Sequence, residues 1–303
     1  MNRLTIISLL LISTPLLAAL PPDLFPPNAQ LQKIIPDQKF TEGPVWVNDQ
    51  TGGHLVFSDI PDSTIHKWTP AAGLSTLRHP SNQTNGNTVD AQRRLISCEH
   101  QTRRVVRTEP DGSITVLADA YDGHKLNSPN DVIVKSDGTI WFTDPPYGID
   151  RSLIEQAHNY VFRLNPATGQ VTPVASDFDM PNGLCFSPDE HTLYVADSGS
   201  PHHIRSFKIF ADNTLGQSKT FATIDNGIPD GIRCDANGNL WSSAGDGIHI
   251  FSPEGSLLAK IPTPETPANL TFGGPDGHTL FITARSSVYS IQTLTTAANG
   301  GKP

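Results

Sequence analysis

The sequence predicts an all-β protein built as a six-bladed β-propeller. One observation is a set of short apolar strand patterns, which read LVFSDI, RLISCEH, TIWFTDP, TLYVADS, NLWSSAG and TLFITAR. A second is their spacing. The strand–turn units that precede them start at Glu42, Asn87, Asn130, Asn182, Asp230 and Asn269, so successive starts lie 45, 43, 52, 48 and 39 residues apart. Repeats of roughly 40–50 residues with about four strands each are typical of propeller blades.

The turns within each repeat support the same architecture. KSDGT, SPDEHT, DANGN and GPDGH place Asp, Asn and Gly where a tight hairpin needs a positive φ or a side-chain-stabilised bend. A parallel α/β fold would need amphipathic helices between the strands, and the sequence has none of sufficient length. Residues 150–158 (DRSLIEQAH) are expected to form one short helical or loop excursion on the channel face.

The N-terminus predicts export. A short positive region, Met1 to Arg3, is followed by an almost wholly apolar run from Leu4 to Leu17 and then by two alanines. This is the layout of a secretory signal peptide. We therefore expect a signal peptide at residues 1–19, a Pro-rich segment at 20–34, a propeller at 35–295 and a flexible tail at 296–303. The expected location is periplasmic or secreted, with no membrane association after the signal is removed.

Composition excludes some partners. The hydrophobic fraction of 37% and charged fraction of 17% suit a folded domain with a sizeable core. The formal net charge is −9, without a run of like charges. Nucleic acids and anionic membranes are bound by clustered Lys and Arg, so neither is an expected partner. Cys98, Cys185 and Cys234 each lie in or beside an apolar strand pattern, where a cysteine behaves as a small core residue; the sequence does not decide whether two of them pair.

An oxygen-bearing side chain stands just before the first apolar pair of every repeat. The six are Glu42, Asn87, Asn130, Asn182, Asp230 and Asn269. Because the innermost strands of a propeller surround its axis, equivalent positions should converge on the channel. A ring of carboxylate and amide oxygens suits a hard cation such as calcium. The alternative is that Asn and Asp before Gly are ordinary turn residues, which leaves Glu42 in the first blade unexplained.

Several longer motifs carry a family resemblance. EGPVW, SPNDV, DPPYGI, MPNGLCFSPDEHTLYVADS and PDGIRCDANGNLW resemble the family of senescence marker protein, gluconolactonase and luciferin-regenerating enzyme. The resemblance extends over residues 35–290, and NGNTVDAQRRLISCEH is most similar to bacterial gluconolactonases. It implies that Glu42, Asn130, Asn182 and Asp230 hold one divalent metal, with Asp230 also acting as general base. Calcium is the expected ion, with magnesium, manganese or zinc as substitutes.

The expected activity is hydrolysis of a sugar lactone such as gluconolactone by activated water. Asn87, His100 and Arg103 are candidates for binding the substrate, and Tyr147 for a wall of the pocket. A GxSxG motif is absent, and Ser198 in ADSGS has no paired histidine in the sequence pattern, so a serine nucleophile is not expected. Asp131 is a candidate ligand for a second, structural metal. Two alternatives stay open: an arylesterase or phosphotriesterase with the same metal, or a propeller that serves as a binding scaffold. The oligomeric state is not predicted.

Overall fold

The computed structural model describes residues 20–298, so the predicted signal peptide lies outside the described residues, as do 299–303 at the end of the tail. The described chain forms six four-stranded antiparallel sheets and one two-stranded hairpin. The first strands in chain order are β1 (Gln32–Ile35), β2 (Thr41–Val47), β3 (His54–Asp59), β4 (Thr64–Thr69), β5 (Gly73–Arg78), β6 (Thr84–Val89), β7 (Leu95–Glu99), β8 (Arg104–Thr108), β9 (Ile114–Ala118), β10 (Ala120–Tyr121), β11 (His124–Lys125), β12 (Val132–Val134) and β13 (Ile140–Asp144). The others are β14 (Asn159–Asn165), β15 (Gln170–Phe178), β16 (Pro181–Phe186), β17 (Thr192–Asp197), β18 (His203–Lys208), β19 (Lys219–Thr223), β20 (Ile232–Cys234), β21 (Leu240–Ala244), β22 (Gly247–Phe251), β23 (Leu257–Pro262), β24 (Pro267–Gly273), β25 (Thr279–Ala284) and β26 (Ser287–Gln292).

These sheets are the six blades, and the predicted propeller is confirmed. Blades 1 to 5 are β2–β5, β6–β9, β12–β15, β16–β19 and β20–β23, each in simple sequential order. The six apolar runs that indicated the repeat form the second strand of each blade, where nearly every side chain is buried. A strand that is buried on both faces reads as a continuous apolar run.

The sixth blade closes the ring with strands from both ends of the chain. Strands β24, β25 and β26 are completed by β1, which pairs antiparallel with β26. The blade therefore includes Gln32–Ile35, most of which falls in the segment assigned to 20–34. Leu24 and Phe25 upstream are also buried, with the Phe25 ring 5.7 Å from that of Trp241. Pairing the first strand with the last blade leaves no open gap in the ring of sheets.

Apolar side chains fill the space between neighbouring blades. Within the described residues they form clusters that each join one blade to the next, including the pair made by the last and first blades. Large aromatic side chains contribute much of the buried area at these interfaces. Examples of ring pairs across them are Trp46–Phe281 at 5.3 Å, Trp141–Phe186 at 5.6 Å and Trp241–Phe272 at 5.2 Å.

Two excursions rise beside each other at one mouth of the channel. One is the β10–β11 hairpin, and the other is the segment between β13 and β14, which contains a single 3₁₀ turn at Arg151–Leu153. The amide of Gln156 donates to the backbone carbonyls of His124 and Lys125, at 3.0 Å each, and joins the two. The short excursion expected at 150–158 is thus present.

The remaining features concern the termini and the cysteines. The Ala298 N–H donates to the Cys234 carbonyl at 3.0 Å, and Ala297 forms an isolated bridge with Asp235, so these tail residues lie against blade 5. Cys98, Cys185 and Cys234 are buried free thiols. In the part of the chain that the structure describes, no helix has the length and apolar character needed to cross a membrane.

Candidate active site

The first strands of the blades approach one another at the mouth where they begin. In three blades the residue after the channel residue donates its N–H to the next blade: Gly86 to the Asn130 carbonyl at 2.8 Å, Gly183 to the Asp230 carbonyl at 3.1 Å and Gly231 to the Ala268 carbonyl at 2.7 Å. This backbone pattern defines the equivalent channel positions. They are Glu42, Asn85, Asn130, Asn182, Asp230 and Ala268.

Glycine follows the channel residue in four blades because the backbones are so close. A Cβ on Gly43 would lie 2.1 Å from the Asn85 carbonyl oxygen, and one on Gly183 would lie 2.3 Å from that of Asp230. No side chain fits at such distances, so these positions need glycine. The Asx–Gly pairs at the channel are therefore close-packing signals, and the turn interpretation does not apply to them.

Two members of the predicted ring occupy other positions. In blade 2 the channel residue is Asn85, two residues before Asn87. The Asn87 side chain is fully buried, donates to the Gly43 carbonyl and to Ser58 Oγ, and accepts from Ser97 Oγ. It binds blade 1 to blade 2 and has no free polar atom for a substrate. In blade 6 the channel residue is Ala268, and the adjacent Asn269 donates to Glu42 Oε2 at 3.2 Å.

Three buried amides form a directed row along the ring. Asn85 Nδ2 donates to Asn130 Oδ1, and Asn130 Nδ2 donates to Asn182 Oδ1 at 2.6 Å. Asn182 Nδ2 then donates to Ser198 Oγ at 3.0 Å. The row places two oxygens of the predicted ligand set, those of Asn130 and Asn182, within one hydrogen-bonded group.

Two carboxylates complete this group. Glu42 is buried and accepts the Gly43 N–H at 2.8 Å through Oε2, yet burial raises its pKa to about 7. Asp230 Oδ1 is buried and accepts no hydrogen bond. Burial, together with the negative charges of Glu42 and Asp131, raises the pKa of Asp230 well above its usual range. Ionising neighbouring carboxyl groups that accept so few hydrogen bonds costs free energy, because burial and mutual repulsion both disfavour the charged forms.

The donor set fits a hard divalent cation. An orphaned buried carboxylate oxygen beside a second carboxylate and two amide oxygens offers the neutral and anionic oxygens that calcium prefers. Within residues 20–298 no three side chains among His, Cys, Asp and Glu come together as a metal site, so a cation here must use the amides as well. Asp131, the candidate for a second metal, is instead engaged by the Arg233 guanidinium at 3.3 Å and by the Val132 N–H.

His100 and Tyr147 lie at this mouth. His100 Nε2 is 3.2 Å from Asn130 Oδ1, and burial lowers the pKa of His100 to about 4, so the ring is neutral at pH 7. Tyr147 is half exposed, and its phenol interacts with Ser198 and Asn182 while burial raises its pKa to about 12. A Cβ on Gly148 would lie 2.4 Å from His100, which shows how closely the Tyr147 loop packs on the histidine.

Arg103 has a supporting position. Its Nε donates to the carbonyls of Leu126 and Asn127 at 2.6 and 3.1 Å, and its Nη1 pairs with Glu155 at 3.1 Å. The side chain is buried and ties the excursion that contains Glu155 to the segment leading into blade 3. Most of its donors are used in this way, so the geometry gives Arg103 a role in holding the rim.

The acids that end the second strands also hold loops. Asp59 accepts the N–H groups of Lys39 and Phe40, and Asp197 accepts that of Met180 at 2.8 Å. Each acid fixes the segment that enters the first strand of its own blade. In the same way Asp144 accepts the Asn127 N–H at 2.8 Å, whereas Glu99 pairs with Arg78 and Arg104.

Sequence reasoning missed Asn85 and the role of Ser198. The signal for Asn85 was present, because TEGPVW in blade 1 and TNGNTV in blade 2 align Glu42 with Asn85 and Gly43 with Gly86. Ser198 carried no comparable signal, since its partners are distant in sequence.

The fold and this site define a class of protein: a six-bladed propeller with a cluster of acids and amides at one mouth of its channel. The particular family follows from the match of residues 40–286 to the SMP-30/Gluconolactonase/LRE-like region, and the chain belongs to this family.

Individual relatives agree with this assignment. The chain is 35% identical to a gluconolactonase of Zymomonas mobilis over 88% of its own length and 82% of the relative's. It is 34% identical to a 6-deoxy-6-sulfogluconolactonase of Pseudomonas putida, over 84% of this chain and 86% of that one. Among solved structures, a gluconolactonase from Xanthomonas campestris superposes with a TM-score of 0.82 at 39% identity, covering 88% of this chain and 90% of that one.

Proposed function

We propose that this chain hydrolyses an aldonolactone to the aldonic acid with one divalent metal ion, Ca²⁺ first, held by Glu42, Asn130, Asn182 and Asp230. The chain belongs to the family, and its relatives include named lactonases, so lactonase activity is supported. The observation that carries the metal is the buried, unpartnered Oδ1 of Asp230 beside Glu42 and the two amides. A cation would relieve the repulsion that this arrangement otherwise imposes.

The chain's own groups suit the hydrolysis. A bound divalent ion supplies Lewis acidity that stabilises negative charge developing on the lactone carbonyl oxygen. Each carboxylate oxygen of Asp230 has more than one lone pair, so the residue can hold the cation and also accept a proton from the attacking water. The water oxygen bonds to the carbonyl carbon, the ring C–O bond breaks, and the proton passes from Asp230 to the leaving ring oxygen. The product is an open hydroxy acid.

The mouth offers polar groups to sugar hydroxyls. Neutral His100 and Asn85 lie together at the edge of the cluster, with Asn85 Nδ2 3.4 Å from His100 Nε2. Tyr147, whose phenol interacts with Ser198 and Asn182, is the proposed wall of the pocket. We propose that His100 and Asn85 bind the substrate, and that Arg103 acts indirectly by holding the rim.

Acid release from glucono-δ-lactone, followed in a pH-stat above the spontaneous rate, tests the proposal. The parent should be active, lose activity with EDTA and regain it with calcium. Phenyl acetate and paraoxon serve as parallel substrates for the arylesterase and phosphotriesterase alternatives. Turnover of either one exceeding that of the lactone, or full lactonase activity in EDTA, would contradict the proposed reaction.

We also propose that the enzyme acts outside the cytoplasm, on the basis of the signal-peptide pattern at residues 1–19. Expression of the full chain beside a version that starts at residue 20, with fractionation of both, tests this. Only the full chain should reach the periplasm or medium.

A further inference from the structure

Ser198 joins two parts of the channel site. It directly follows strand β17 and is 8% exposed. Its Oγ accepts from Asn182 Nδ2 at 3.0 Å and donates to the Pro229 carbonyl at 2.5 Å. Pro229 precedes Asp230, so one hydroxyl contacts both the side chain of one candidate ligand and the backbone before another.

The Pro229 carbonyl fixes the direction of the amide row. A carbonyl oxygen can only accept, so the Ser198 hydroxyl proton must point to it. The lone pairs of Ser198 then require Asn182 to present its NH₂, which leaves the Asn182 oxygen beside Asn130. Asn130 must in turn offer its NH₂ to that oxygen, at 2.6 Å. An amide can be rotated by 180° with almost no change of shape, so an acceptor-only end group is what selects one orientation.

We propose that Ser198 is a positioning residue, which sets the amide orientation of Asn182 and through it that of Asn130, so that oxygen atoms lie within the ring. This inference rests on the proposed metal site. An amide nitrogen has no lone pair to offer a cation, so a reversed Asn182 would remove one ligand from the set. The same geometry argues against a nucleophilic serine, because a backbone carbonyl is not a base that can take the hydroxyl proton.

Calorimetric titration of the chelated chain with Ca²⁺ measures the effect. Ser198→Ala should weaken calcium binding roughly tenfold or more, as loss of a group that orients a ligand commonly does. Thr143→Val is the matched control, because the buried Thr143 hydroxyl also donates to Asn182, but to its backbone oxygen, at 2.8 Å. The two variants should lose similar thermal stability, and only Ser198→Ala should lose much calcium affinity.

A double-mutant cycle separates orientation from general packing. Asp at position 182 presents an oxygen on either side, so its orientation needs no guide. In an Asn182→Asp background, Ser198→Ala should therefore cost much less calcium affinity than in the parent. An equal loss in both backgrounds, or unchanged affinity in Ser198→Ala alone, would overturn the positioning role while leaving the proposed function in place. A parent that binds no calcium would instead overturn the metal site and this inference with it.

Discussion

Asp144, which is buried, and Asp230, which is half-buried, share two features but differ in their surroundings. Each has one buried carboxylate oxygen without a hydrogen bond, and burial raises the pKa of each, that of Asp144 to about 7. Asp144 accepts a backbone N–H from Asn127, and the charge that acts on it is the favourable one of Arg103. Asp230 instead faces two other acids, Glu42 and Asp131.

The contact made by Asp144 is repeated in other blades, whereas Asp230 lies where side chains from several blades meet. The loop-holding arrangement of Asp144 recurs at Asp59 and Asp197, so the blade architecture itself accounts for it. Asp230 belongs to a group in which side chains from different blades meet at one point. A perturbed pKa alone does not mark a functional residue, because structural acids share it. What distinguishes Asp230 from Asp144 is that acids and amides from several blades surround its unpartnered oxygen.

Asp230→Asn should produce the largest effect. The variant keeps an oxygen but loses the base and one negative charge, and a general base commonly contributes about 10²–10⁴-fold. We expect lactone turnover to fall by that range while the fold is kept. Initial rates on glucono-δ-lactone, with thermal unfolding as the control, check this. Near-parental turnover in a calcium-loaded Asn variant would remove Asp230 from catalysis.

Glu42→Gln should act on the metal. Glu42 and Asp230 are the carboxylates of the proposed ligand set, and charge count is a main determinant of calcium affinity. We expect a loss of roughly tenfold or more in affinity by calorimetry. The metal-free variant should be more stable than the parent at pH 8, because it no longer buries an ionised acid whose pKa is raised to about 7. Unchanged calcium affinity would show that Glu42 is not a ligand.

Asp144→Asn should change stability and its pH dependence. The folded parent holds a proton on Asp144 until about pH 7, whereas the unfolded chain releases it near pH 4. The stability that this proton contributes is complete below pH 4, falls as pH rises, and is lost above pH 7. The parent's unfolding free energy in EDTA should therefore decline against that of Asp144→Asn by up to about 4 kcal/mol over this window.

Urea denaturation of both proteins at pH 4, 5.5 and 8 measures this difference. Turnover per folded molecule should be nearly unchanged in Asp144→Asn, since its contacts are to loops. A loss of turnover comparable to that of Asp230→Asn would place Asp144 in the active site and end the distinction between the two regions.

Chemical modification should have the smallest effect. Burial raises the pKa of Cys98 and Cys185, which leaves both thiols protonated and shielded. The Ser198 hydroxyl is used by Asn182 and Pro229. Iodoacetamide and a serine-directed fluorophosphonate should therefore leave lactone turnover intact. Rapid inactivation by the fluorophosphonate would favour an acyl-enzyme and contradict the water mechanism.

The blade count was readable from the sequence because every second strand is a buried apolar run, and six such runs at regular spacing specify the fold. The exact channel residue was readable only where the motif was unambiguous, as at Glu42, Asn182 and Asp230. Blade 2 has asparagines at 85 and 87, and residues two apart share a face of a strand, so only the alignment of TNGNTV with TEGPVW selects Asn85. Strand irregularities between Thr84 and Asn87 add to this ambiguity.

Arg103 and Asn87 show a second limit. Both are polar residues close in sequence to the site, and the patterns around them suggested contact with substrate. Arg103 donates hydrogen bonds to the carbonyls of Leu126 and Asn127. Asn87 donates hydrogen bonds to groups of blade 1. Whether a polar side chain is free depends on partners from other blades, which the sequence does not place.

Anomalous scattering from a crystal soaked with Mn²⁺ would locate the proposed cation and its ligands. Manganese should substitute at an all-oxygen site, since hard ligands do not select one such ion strictly. We expect one strong peak at the channel mouth, within coordination distance of oxygens of Glu42, Asn130, Asn182 and Asp230. A peak bound instead by the second-strand acids Asp59, Asp144 or Asp197, or no peak at the mouth under conditions that support full lactonase activity, would contradict it.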